Sequence, residues 1–467
     1  MTGDLGRAKR RECDLVALDA LGPSSEYPTR KRELICDTGG VPVAAMSLVP
    51  RLFVTRSINA QRAAPPLPFA DREAALPHAA EIFVTSSIAG LGFDDYVALT
   101  CRVSGLPLAV ARAGARVVAD SLATALDAVR PARPTGATLD WRDQPGGAVW
   151  ARRGEVLAVH APGNAPGVHG LWPQALALGY RVAVRPSRRE PFTAHRLITA
   201  LRRAGFHDED ALFLPSDHAT ADELVRAADL ALVYGGQDVA SRYADDPTVL
   251  VNGPGRTKIV ITAEQDWREH LDVIVDSIAG LGGMACVNAT AVLYEGDPAP
   301  LADAIAARLS ALKSLPNIDE NATLPTTPVA NAHALAEYLA RAAVGAEALL
   351  GADQVVADLG DGFAALRPAV HLLRRPDVRM INVELPFPCV WISGWQREDG
   401  LAALRNSLVV TAITSDDILI DALLAEPSVT NVYRGAVPTH LAAQHIPHDG
   451  YLADFLMRTK GFIRRAE

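Results

Sequence analysis

The chain has 467 residues, with 45 lysines and arginines against 54 aspartates and glutamates, giving a formal net charge of -9. That length predicts two or three domains, and the acidic balance argues against a nucleic-acid surface. Five cysteines, Cys13, Cys36, Cys101, Cys286 and Cys389, are too few and too scattered for a disulfide framework or a zinc site, and with no signal segment and no run of eighteen apolar residues a soluble cytoplasmic protein without membrane partners is expected.

Residues 1–80 carry few signals: two strands, Val41–Leu48 and Leu52–Thr55, lead into the connector APPLP, and no function is assigned to them. From Asp94 to Val129 the apolar spacing turns helical, broken at Gly105 and Pro107, with Ala109–Val129 expected as one long helix. Thr138–Arg142, the turn DQPGG and Ala148–Arg152 predict a β-hairpin, which either serves oligomerisation or is an ordinary edge hairpin.

Beyond it, strands Glu155–His160, Tyr180–Arg185, Ala211–Pro215, Leu230–Tyr234 and Val249–Asn252 are spaced by helices from Val168 to Leu178, Ala194 to Ala204 and Thr220 to Ala228. Short apolar strands between amphipathic helices predict a parallel sheet covered on both faces, of nucleotide-binding type, with ligands at the C-terminal strand ends. A second α/β segment opens at Ile259–Thr262 and runs to about Val432, and residues 436–467 read as a tail.

The chemistry-bearing segments fall at those strand ends. In APGNAPG, Ala161–Gly167, the Asn164 amide is able to donate to an oxyanion. In VAVRPSRREP, Val182–Pro191, the guanidinium groups of Arg185, Arg188 and Arg189 suit a phosphate, including the 2′-phosphate of NADP. LVYGGQD places Gly235 and Gly236 at a strand-to-helix turn that a dinucleotide can approach closely. The G-x-G-x-x-A match at Gly360, Gly362 and Ala365 is set aside, because Pro368 interrupts the helix that such a fingerprint needs. In GLGGMACVNATAVLYEG, Gly280–Gly296, a helix over Asp266–Gly282 and a strand over Ala289–Tyr294 leave Cys286 in the connecting turn, placed to attack a carbonyl carbon.

Together these pieces resemble the aldehyde dehydrogenase superfamily over roughly residues 135–460. The Pro/Gly-flanked asparagine resembles the family's proline-tryptophan-asparagine segment, VRPS its lysine-proline-serine segment and GGMACVNATAVL its nucleophile loop, in matching order. Two departures point to one branch. Where hydrolytic members have a Glu-Leu-Gly-Gly segment whose glutamate activates water, VNGPGRTK has Asn252, whose amide cannot accept a proton. The CoA-acylating branch also lacks that base, and its segment is similar to Gly253-Pro254-Gly255; GNAPG and VRPS further resemble fatty acyl-CoA reductases. Where NAD-preferring members have Lys-Pro-Ser-Glu, Arg185-Pro186-Ser187-Arg188 favours NADPH. Glu384, in VELPFP, resembles the glutamate that holds the nicotinamide ribose, with the usual phenylalanine displaced to Phe387.

The resemblance implies an aldehyde dehydrogenase-like α/β fold with two parallel-sheet domains and a small oligomerisation element. Expected units are a mostly helical N-terminal segment, 1–134, packed on the cofactor domain; a hairpin, 135–152; a dinucleotide-binding domain, 153–258; a catalytic domain, 259–432; and a tail, 433–467. It also implies NADPH-dependent reduction of an acyl thioester, from acyl-CoA or an acyl-carrier protein, to an aldehyde through a thioester on Cys286. Asn164 would stabilise the oxyanion, and Arg185, Ser187, Arg188, Gly235, Gly236 and Glu384 would hold NADP, or NAD, with CoA as co-substrate, no metal, and a homodimer or homotetramer as the assembly. The alternatives are a non-acylating enzyme that oxidises aldehydes to acids and a catalytically silent scaffold.

Overall fold

Two seven-stranded sheets, each dominated by parallel strands, organise the structure, a computed structural model that describes residues 15–443 and 446–464. Cys13 lies outside the described residues. The first sheet runs in the order Val249–Asn252, Leu230–Tyr234, Val156–His160, Arg181–Arg185, Ala211–Phe213, Ala20–Leu21, Glu26–Tyr27. Its first five strands are parallel, and the last two add an antiparallel edge. These strands read as unbroken apolar runs because both faces are covered: Val156 and Ala158 enter one core while Leu157 and Val159 enter the other. The chain leaves Val156–His160 toward Ala211–Phe213 on one side and returns to its other flank with Leu230–Tyr234. In an open α/β sheet the ligand crevice forms at the C-terminal ends of the strands where the order reverses in this way.

The second sheet has the order Glu347–Leu350, Ala369–Leu373, Cys389–Gly394, Ala289–Tyr294, Thr257–Ile261, Ser407–Ile413, Val429–Arg434. All of its neighbours are parallel except Glu347–Leu350. Here too alternate residues feed opposite cores, Ile259 and Ile261 on one face and Val260 on the other. Two parallel-sheet α/β domains, as expected, are therefore present. Among the described residues no helix is long and apolar enough to cross a membrane, and no His/Cys/Asp/Glu group could hold a metal.

Three expectations are corrected. Leu52–Thr55 is not a strand but the start of the helix Arg51–Ala63, whose buried residues Val54, Ser57, Ile58 and Gln61 recur at helical spacing. The single helix expected over Ala109–Val129 is broken at Thr124, between helices Leu108–Ala123 and Ala125–Val129, and at the start of the N-terminal segment Ala20–Leu21 pairs antiparallel with Ala211–Phe213 and extends the first sheet. Nor does 138–152 form a hairpin. Ala137–Thr138 lies parallel to Gly146–Arg152, and the antiparallel partner of Gly146–Arg152 is the C-terminal strand Met457–Ile463. Asp140 caps a short 3-10 turn at Trp141–Asp143, which redirects the chain where a hairpin would have reversed it, and Trp141 packs on Phe462 with ring centroids 5.0 Å apart. The C-terminal segment is consequently structural, with Leu452, Ala453 and Leu456 buried in the main core. The turn at Gly360–Gly362 joins two antiparallel strands, Val356–Asp358 and Phe363–Leu366, in keeping with its dismissal as a phosphate loop.

Candidate active site

Cys286 occupies the turn between the 3-10 segment Gly280–Gly283 and strand Ala289–Tyr294. Asn288 ties that turn together. Its Oδ1 accepts from the Ala285 N–H at 2.9 Å, and its Nδ2 donates to the carbonyls of Ser277 and Gly280 at 3.1 and 2.7 Å. Gly283 has φ +65°, and a Cβ there would stand 2.4 Å from the Pro388 nitrogen, so glycine is required on both conformational and steric grounds. From the neighbouring strand, the Thr257 hydroxyl donates to the Cys286 carbonyl at 3.0 Å. Gly255 packs so closely that a Cβ would fall 1.7 Å from the same carbonyl oxygen. The cysteine backbone is thus clamped from two directions, while the residue itself is only partly buried.

Asn164 follows strand Val156–His160 and points its amide at this turn, with Nδ2 3.5 Å from the Met284 carbonyl. That bond is at the limit of hydrogen-bond length, and Asn164 Oδ1 is buried without a partner among the described residues. A weakly engaged amide beside a nucleophile turn is free to donate to a developing oxyanion.

Two groups that the sequence did not single out complete the surroundings of the sulfur. His448 Nε2 lies 3.6 Å from Cys286 Sγ, and His448 Nδ1 is 2.7 Å from Asp449 Oδ2. Burial alone would lower the affinity of this imidazole for its proton, but Asp449 and the Cys286 sulfur outweigh it and raise the pKa above the usual histidine range. Tyr234, at the end of Leu230–Tyr234, is pushed upward by burial and then by Asp449 and Cys286, so its phenol stays protonated. Asn252, opposite Tyr234 in the ladder, is 5 % exposed with its Oδ1 unpartnered among the described residues. No motif marks His448; its loop is held by the Asn431 amide, which donates to the His448 carbonyl at 2.5 Å.

The residues expected around a dinucleotide gather at the strand ends flanking the reversal point. Gly163 lies against Ser187, whose Oγ would be 2.3 Å from a Cβ there. Gly235 and Gly236 form the turn between Leu230–Tyr234 and the helix Gln237–Tyr243. Arg185 is partly buried and donates from Nε to the Ser216 carbonyl at 3.2 Å; burial first, then Arg188, lowers its pKa. Arg188 is not a free cation, because its Nη1 is 2.9 Å from Glu33 Oε1, a residue of the N-terminal strand Arg32–Cys36. Glu384 is engaged as well, its Oε2 accepting from the Gly255 and Arg256 N–H groups at 2.8 and 3.2 Å. In this structure it fastens the loop that presses on Cys286. Burial raises its pKa, and those two N–H groups oppose the shift. The donor set, glycines at a reversal point with guanidinium groups beside them, fits a nicotinamide dinucleotide.

Comparisons with known proteins agree with this arrangement. The aldehyde dehydrogenase family profile matches residues 46–451. Among solved structures, an NAD-dependent aldehyde dehydrogenase from Sinorhizobium meliloti superposes with a TM-score of 0.81 at 17% identity, covering 96% of this chain and 94% of that one. The 1-pyrroline-5-carboxylate dehydrogenase of Thermus thermophilus gives 0.79 at 16% identity, covering 96% and 93%. In sequence, 151 residues are 24% identical to the probable acylating methylmalonate-semialdehyde/malonate-semialdehyde dehydrogenase of Caenorhabditis elegans, a match over 30% of this chain and only 29% of that protein's length. With the fold, the order of the motifs and the family profile in agreement, the chain belongs to the aldehyde dehydrogenase family.

Proposed function

We propose that the protein reduces an acyl thioester, carried by CoA or a carrier protein, to an aldehyde through an acyl group held on Cys286. The observation that carries this reading is Asn252. A buried amide stands where water-activating members of the family have a carboxylate, so an acyl group on the sulfur is poorly matched to hydrolysis. On this reading the Cys286 sulfur attacks the carbonyl carbon, and the Asn164 amide and the Cys286 N–H receive the oxyanion. The substrate thiol departs. A nicotinamide cofactor held by Arg185, Ser187, Arg188, Gly235 and Gly236 supplies the hydride, with NADPH preferred over NADH on account of the arginines. The word acylating in the name of the Caenorhabditis elegans relative supports the same branch.

A second reading is oxidation of an aldehyde to an acid through the same cysteine. It is favoured by His448, whose Nε2 lies 3.6 Å from the sulfur and, once acylation removes the sulfur's contribution to its raised proton affinity, is placed to take a proton from water. Two assays separate the readings. Mass spectrometry after incubation with a panel of acyl-CoAs should detect the acyl group on Cys286, and oxidation of aldehyde by NADP should require CoA. Rapid turnover to the acid without CoA would establish the second reading and sink the first.

A further inference from the structure

The nucleophile of this site has a neighbour that its family motif does not supply. His448 faces Cys286 with Nε2 at 3.6 Å from Sγ, and its other ring nitrogen is held at 2.7 Å by Asp449. A sulfur, an imidazole and a carboxylate in that order is the geometry by which a base takes a proton from a nucleophile while a third group orients the base. The position is built and not incidental: the His448 carbonyl is bonded to the buried Asn431 amide of the catalytic sheet. Asp449 retains 23% side-chain exposure and His448 44%, so the dyad is reached by solvent.

We propose that His448, positioned by Asp449, is the acid–base partner of Cys286 in acyl transfer. In the step, the Cys286 S–H bond breaks and its proton passes to His448 Nε2 as the sulfur bonds to the acyl carbon. The bond from that carbon to the substrate's sulfur then breaks, and the departing thiolate takes the proton from His448. No oxidation or reduction occurs in this half of the reaction, and protons balance without a further reagent. The groups that face the dyad and bear on its titration are Cys286 from the nucleophile turn, Tyr234 from strand Leu230–Tyr234, and Asp449 itself. The Tyr234 phenol stays protonated beside them, raised first by burial.

The inference rests on Cys286 being the nucleophile but not on the acyl donor, and its test uses no substrate. The rate of iodoacetamide alkylation at Cys286, read on its own peptide by mass spectrometry, is measured from pH 6 to 10 in the wild-type protein and in His448→Ala, His448→Gln and Asp449→Asn. An unassisted thiol of pKa about 8.5 is only about 3% thiolate at pH 7, so loss of the partner should slow alkylation there by up to about 30-fold. The rates should converge at pH 10, which also reports that the variants are folded with the sulfur accessible. Asp449→Asn should fall between the wild type and His448→Ala, with its profile displaced in the same direction. Wild-type alkylation rates across the whole range in both His448 variants would overturn the proposal. If acyl-CoAs leave Cys286 unmodified while the alkylation profile behaves as stated, the thioester reading fails and the partnership stands.

Discussion

The two walls of the site are held in different ways. The turn that carries Cys286 is held close by: Asn288 bonds across it, Gly283 supplies a left-handed φ, Thr257 of the adjoining strand bonds the Cys286 carbonyl, and Gly255 in the loop before that strand presses on it. The opposite wall, His448 and Asp449, belongs to a loop reached only after the second sheet is complete and held by a bond from Asn431. The first arrangement fixes the sulfur's position through the turn's own bonds and through two loops packed on it, at Gly255 and at Pro388. The second makes its chemistry depend on correct closure of the C-terminal segment over it.

The largest effect should come from the sulfur itself. Cys286→Ala should abolish both acyl transfer and turnover, and any residual acylation on the intact protein would show that another residue is the nucleophile. Next is the clamp. Gly255→Ala places a Cβ 1.7 Å from the Cys286 carbonyl, so the turn must move, and misplacement by about 1 Å is enough to lower kcat about 10²-fold. A nearly normal kcat with an unchanged melting temperature would show that the turn is less rigidly held than its contacts indicate.

If Asn164 donates to the oxyanion as proposed, Asn164→Ala should cost about 10²–10³ in kcat, or about 3 kcal/mol, with acylation still detectable. Loss equal to that of Cys286→Ala would assign Asn164 a structural role instead. On the proposed reading, Asn252→Glu places a carboxylate in a buried position that favours a raised pKa, and should speed release of acid from the acylated enzyme by at least about tenfold. An unchanged rate would mean that something other than the missing base keeps water out.

The smallest effect belongs to the cofactor crevice. Arg188 is 48% exposed and paired with Glu33, so its net contribution to binding a 2′-phosphate is limited to about 1 kcal/mol. Arg188→Gln should raise the KM for NADPH about fivefold and leave that for NADH nearly unchanged. Equal changes for both cofactors would remove Arg188 from the selection.

Much of the scaffold was legible without coordinates. Strands Leu230–Tyr234, Val249–Asn252 and Ala289–Tyr294 coincide with their expected bounds. Parallel strands buried on both faces must be apolar throughout, and that signal is local. Cys286 in its turn and Asn164 at a strand end were legible for the same reason, since each lies next to a strand of this kind. The pairing of Gly146–Arg152 was not, because its partner is Met457–Ile463, some three hundred residues later in the chain. Likewise, nothing around Arg188 points to Glu33, and nothing around His448 points to Cys286. The sequence alone determined the two-sheet architecture and the turn that holds Cys286. Tertiary structure decided which charges meet: an arginine neutralised by the N-terminal strand, and a sulfur facing an imidazole from the C-terminal loop. Hydrophobic periodicity is written in neighbouring residues, whereas the proton affinity of a side chain depends on whatever groups the completed fold brings within a few ångströms of it.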